Sequence, residues 1–173
     1  MTLHSKTDDP LFRRPATAGT GFEKMLATVM PGFPDFLAEQ KEQRPAFEWH
    51  ADLAASETVT LLRARYSASW TYTPQTDQEA LALRFCKAGM AETTVRGQEV
   101  SSLPGTAVVA STADVGRTIL HPDVHSSLIT SATFLFNAAL VNTCLHDMFE
   151  LTALSQLGLR PLLDLGTPVG RTL

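Results

Sequence analysis

A mainly β fold in one domain, with a short leading helix and helices trailing a barrel or sandwich, is predicted from three observations. A length of 173 residues holds one domain with a real core and is too short for two well-formed ones. The hydrophobic period is helical near the start, becomes two from Phe47, and turns helical again past about residue 131. Between those points glycine and proline interrupt short apolar runs at even intervals, the punctuation of an all-β domain that avoids exposed edges.

Residues 1–19 are polar and carry Pro10, Pro15 and Gly19. They offer little apolar surface against the entropy of ordering, so a flexible arm is expected. Thr20 and Glu23 have capping-box spacing, and Phe22, Met25, Leu26 and Val29 follow at helical intervals until Met30-Pro31-Gly32, which predicts a helix over 20–30. Phe47, Trp49, Ala51 and Leu53 then alternate with Glu48, His50 and Asp52, the pattern of a half-buried strand. Further strands are expected at Val59–Tyr66, Trp70–Thr73, Ala80–Cys86, Ala91–Arg96, Glu99–Leu103, Thr106–Ser111, Arg117–Leu120 and Ser126–Thr130. Helices are expected over about 131–157, capped by Ser131 or Asn137, because Val141, Cys144, Leu145, Met148 and Phe149 recur on one face, with Leu151, Leu154 and Leu157 beyond. That face is wide enough to cover the barrel and leave a seam for a second copy, at Val141, Leu145 and Met148. The tail from Gly158 stays apolar to its last residue and reads as cut.

Composition narrows the function. A net charge of -4 and a pI near 5.7 work against nucleic-acid binding by this chain alone, because phosphate neutralisation needs concentrated Lys and Arg. Cys86 and Cys144 stand far apart without a CxxC partner, and no run of about 18 apolar residues occurs to span a bilayer. A cytoplasmic protein with no membrane partner is expected.

The most informative stretch is ALALRFCKAGMAETTVRGQEVSSLPGTAVVAS, residues 80–111, with a strand, a turn at Gly89, a hairpin around Arg96-Gly97-Gln98 and a Pro104-Gly105 corner. Its order of turns resembles the N-terminal effector-binding domain of AraC/XylS-type transcription regulators. The leading helix, strand block and helical tail follow in that family's order. The resemblance implies a cupin-like β-barrel that senses a small-molecule effector, forms a homodimer through the helices after the barrel, and reaches DNA through a separate C-terminal domain with helix-turn-helix motifs. Such a domain needs about 100 further residues with a basic surface, so a fragment of a longer regulator is expected.

Candidate site residues follow from side-chain chemistry. Trp70, Tyr72 and Phe85 offer stacking surface for a ligand, while Trp49 reads as core. Arg63 and Arg65 share parity with Val59 and Leu61 and, if those face inward, would meet an anionic effector at the barrel mouth. His121, Asp123 and His125 share one parity, which a metal-dependent cupin enzyme would use, but Pro122 interrupts the strand and the expected reading there is a Pro-Asp turn without metal. No GxSxG, HExxH, P-loop or GxGxxG motif supports nucleophilic or nucleotide chemistry. Neither catalysis nor a cofactor is therefore expected.

Overall fold

A computed structural model describes residues 12–13, 16–29, 31, 36–40, 46–75, 79–151, 156 and 158–167. Strands β1 (Phe12–Arg13) and β2 (Thr17–Thr20) precede helix α1 (Phe22–Val29) and strand β3 (Phe36–Gln40). There follow β4 (Glu48–Ala55), β5 (Val59–Tyr66), β6 (Trp70–Pro74), β7 (Ala80–Ala88), β8 (Met90–Val95), β9 (Gln98–Ser102), β10 (Thr106–Ser111), β11 (Val115–His121) and β12 (Ile129–Asn137). Helix α2 (Ala138–Phe149) and strand β13 (Leu162–Asp164) close the described chain.

The strands form an antiparallel eight-stranded sheet, in the order β1-β4-β5-β12-β7-β10-β13 with β2 also on β4, and a five-stranded sheet in the order β3-β6-β11-β8-β9. Among the described residues no strand pairs into both sheets, so the barrel is not closed; the architecture is an open, cupin-like jelly roll. Alternation decides which side chains meet between the sheets. Phe47, Trp49, Ala51 and Leu53 are buried, as are Leu62, Ala64 and Tyr66 on β5. They join Trp70, Cys86, Ala91, Leu120 and Ile129 in one core cluster. Helix α1 adds Met25 and Val29 to it, and Phe22 sets its ring edge-on to Phe47 at 5.3 Å and to Trp70 at 5.9 Å. The helix thus packs its apolar stripe into the same core as the strands.

Two turns show why particular residues sit where they do. Arg96 and Gly97 connect β8 to β9 with φ of 50° and 76°, the paired positive values of a tight hairpin turn. Arg96 is held there by its guanidinium on Asp114 Oδ2 at 2.7 Å. Gly89, at φ 77°, lies so close to the 121–123 segment that a Cβ would stand 2.4 Å from the His121 carbonyl oxygen. No larger residue fits without moving backbone.

The structure corrects several boundaries. The expected arm is strand at Thr17–Thr20, hydrogen-bonded to β4 from Thr17↔Ala51 to Thr20↔Glu48. Ladder bonds to an open strand edge order it without apolar side chains. Residues 1–11 and 14–15 of the arm, and Leu154 and Leu157 of the helical tail, lie outside the described residues. Strand β3 was not expected, since its alternation is masked by an exposed Leu37. The helix after the strands starts at Ala138, not 131. Ile129, Ser131, Thr133 and Leu135 alternate as buried strand residues, and Asn137 Oδ1 caps the helix by accepting from Ala139 N at 2.7 Å. The tail read as cut supplies β13, paired to β10 at Thr106↔Asp164.

Candidate functional site

The strand period brings a small polar group into an otherwise apolar interior. On β7, Cys86 is buried and Ala82 and Arg84 share its face, directed between the sheets. Arg84 stands beside Thr133 of β12 in the ladder, and Thr133 stands beside Leu62 of β5. From the facing sheet, β6 presents Trp70 and Tyr72. Arg84, Thr133, Leu62, Trp70 and Tyr72, with Val29 of α1, Phe36, Tyr66, Leu120 and Ser131, line a cavity of about 40 Å³. A space of that size admits a few water molecules or one small polar group.

Arg84 is the electrostatic centre of this cavity. Its Nε donates to Thr133 Oγ1 at 3.2 Å, and its guanidinium carbon lies 5.0 Å from the centre of the Tyr72 ring. Among the described residues no carboxylate is paired with it. Burial pulls the guanidinium below its ordinary pKa, and burial pushes the Tyr66 phenol well above the usual tyrosine range while Arg84 draws it back. The indole Nε1 of Trp70 is buried with no hydrogen-bond acceptor. Two residues that line one cavity therefore carry donors, one of them cationic.

Of the residues expected at a ligand site, Trp70 and Tyr72 line this cavity, their rings 5.4 Å apart. Arg63 and Arg65 do not. They are exposed on the outer face of the large sheet, since the alternate residues Leu62, Ala64 and Tyr66 take the inner face. An error of one residue in phase reverses every side chain on a strand. Phe85 is also on the outer face, where its ring meets Phe134 edge-on at 6.0 Å. Arg84, the neighbour of Phe85, was the residue missed. Its signal is the alternation Ala82-Arg84-Cys86, small residues on both sides of a long cation.

The His121, Asp123 and His125 set does not converge. His121 Nε2 lies 3.1 Å from Glu92 Oε2, while Asp123 Oδ1 accepts from the backbone N–H groups of Ser126 at 2.8 Å and His125 at 3.0 Å. Asp123 is a turn cap, which holds its carboxyl below the usual carboxylate range. Among the described residues no cluster of three or more His, Cys, Asp and Glu side chains is placed to hold a metal. Of the residues expected at a dimer seam, Leu145 is buried in its own chain, Val141 is half-buried and Met148 is 71% exposed. Leu145 is thus intrachain core, because the α2 stripe that carries it packs inward. Among the described residues no helix is long and apolar enough to cross a membrane.

Comparison with known proteins agrees with this architecture. The AraC-like transcriptional activator CuxR superposes with a TM-score of 0.56 at 9% identity, over 75% of this chain and 49% of that one. The chain therefore spans about half the length of that protein. KdgF from Halomonas sp. matches at a TM-score of 0.40 and 14% identity, over 60% of this chain and 90% of that one. A cupin-2 domain protein of Rhodospirillum rubrum, Rru_A2000, matches at 0.37 and 12% identity, over 59% and 68% of the two chains. No curated protein matches the sequence. The sequence profile of the AraC-binding-like domain matches residues 36–173, which is most of the chain, and the protein belongs to that family.

Proposed function

We propose that this chain is the effector-reading and dimerising part of an AraC-type transcription regulator, without catalytic activity of its own. The observation that carries the reading is the mostly apolar cavity between the sheets that holds a few polar groups, with Arg84, Ser131 and Thr133 facing Trp70 and Tyr72. A core built only for stability gains nothing from a guanidinium at its centre, whereas a site that must recognise a small molecule needs a few placed polar groups in apolar walls. In this reading the ligand enters the cavity beside α1, whose Val29 forms part of the wall, and biases how α1 and α2 are held. A ligand that favours one arrangement of these helices changes how two DNA-reading domains, carried outside this chain, are presented. The net charge of -4 agrees with DNA contact being made elsewhere. The exposed Met148 and Phe149 of α2 supply the seam for a second copy. A cytoplasmic protein accords with this role and with two unpaired cysteines.

A second reading, a dimerisation module without ligand, draws on the small volume of the cavity, about 40 Å³. Native mass spectrometry with elemental analysis on the purified chain separates the two. A dimer that retains an organic small molecule supports effector reading. A dimer with no adduct, whose stability no small molecule changes, supports the dimerisation module. A stoichiometric transition metal would overturn both in favour of a metal-dependent enzyme.

A further inference from the structure

Resting on the effector reading above, we infer that the ligand of this domain is a small organic carboxylate, its carboxyl group received by the Arg84 guanidinium and the Trp70 indole N–H. Both residues line one cavity; the buried Trp70 Nε1 has no acceptor, and among the described residues no carboxylate is paired with Arg84. Arg84 has one hydroxyl, Thr133, for its Nε and a ring, Tyr72, against its face. A guanidinium has five N–H donors in a planar fork, and a hydroxyl with a ring face leaves that fork largely unused. A half-buried cation is balanced best by an anion. Among the described residues none is supplied by Asp or Glu, and an acid from outside would supply it.

Size and shape argue for a carboxylate rather than a larger anion. A cavity of about 40 Å³ receives a small carboxylic acid, and anything larger only if the walls move. A carboxylate presents two oxygens in one plane, matching a fork on one side and leaving a lone pair for a single N–H on the other. The remaining walls include Phe36, Tyr66, Trp70 and Tyr72, so the body of the acid is small and apolar. Burial that lowers the guanidinium pKa also strengthens any charge pair formed there, because little water competes.

Each of three acids, formate, acetate and benzoate, is titrated against its amide into the ¹⁵N-labelled chain. The indole N–H signals are followed by NMR, with Trp70 distinguished from Trp49 through Trp70→Phe. The expected result is that at least one acid moves the Trp70 signal at millimolar concentration and leaves Trp49 in place. Its amide binds roughly 10- to 100-fold more weakly, the ratio of charged to neutral hydrogen bonding. Arg84→Met is expected to weaken the acid by the same factor. Trp70→Phe, followed by broadening of the acid's own proton signals, is expected to weaken it several-fold while keeping the ring. Equal binding of acid and amide overturns the inference and leaves the effector pocket standing. Unchanged acid binding in both variants also overturns it. No movement of the Trp70 signal by any of the acids overturns it too, and effector reading is then decided by the retained-ligand measurement.

Discussion

Replacing Arg84 by methionine is expected to stabilise the ligand-free protein, an unusual outcome for a change in the interior of a domain. Methionine keeps the unbranched stem and its apolar contacts and removes only the charged head. Two favourable contacts are lost, the Nε bond to Thr133 Oγ1 at 3.2 Å and the guanidinium over Tyr72 at 5.0 Å. A hydrogen bond from a buried charge and a cation–π contact together stabilise by roughly 2 kcal/mol. Against them stands the desolvation of an unpaired cation, an effective penalty of several kcal/mol, about 4 when a few waters remain near it. The difference is about 2 kcal/mol in favour of methionine, and for a domain of this length that raises Tm by roughly 4–8 °C. Differential scanning calorimetry on extensively dialysed wild type and Arg84→Met measures it directly. A fall in Tm on the same scale would refute the reasoning, since Arg84 would then be satisfied within the fold and would have no need of an external anion.

Three further outcomes are expected. Gly89→Ala destabilises by about 3 kcal/mol, since a left-handed φ of 77° costs an alanine and its Cβ stands 2.4 Å from a carbonyl oxygen; urea unfolding with an unchanged m-value checks it. Leu145→Glu lowers the stability of the chain itself by about 3 kcal/mol, because it buries a carboxylate within the fold, whereas Met148→Glu keeps the wild-type circular dichroism and gives a monomer in light scattering where the proposed seam makes the wild type a dimer. The capping carboxylate of Asp123 has its folded pKa depressed, so its stabilisation is fully present above the ordinary carboxylate range and is lost as pH falls through the lower folded value. Asp123→Ala therefore lowers Tm at neutral pH, and the gap to wild type closes in acid; a gap that persists at the lowest pH would contradict the cap.

Much of the β architecture was legible in one dimension because strands write a period of two. The limits of β5 and β10 were readable to the residue at Val59–Tyr66 and Thr106–Ser111, and the hairpin at Arg96-Gly97 announced itself through its turn residues. Strand β12 was cut short because its second half, Thr133 to Asn137, runs directly into helix α2, and an apolar stretch shared by two elements shows no punctuation. Strand β3 was lost for the opposite reason: it is a short edge strand whose Leu37 points to solvent.

The sequence by itself determined the class of fold, the order of its leading helix, central strands and trailing helix, and the family resemblance, all of which rest on local turn chemistry and on period. It also placed Trp70 and Tyr72 among the aromatic candidates. Which face of each strand looks inward was decided only by the tertiary structure, because a strand's two faces are equivalent until a second sheet covers one of them. That choice moved Arg63, Arg65 and Phe85 outside and Arg84 inside. The absence of a described carboxylate opposite Arg84 is likewise a fact of three dimensions. Its partners come from two sheets, Thr133 from the neighbouring strand and Tyr72 from the facing one, and only packing brings them to it.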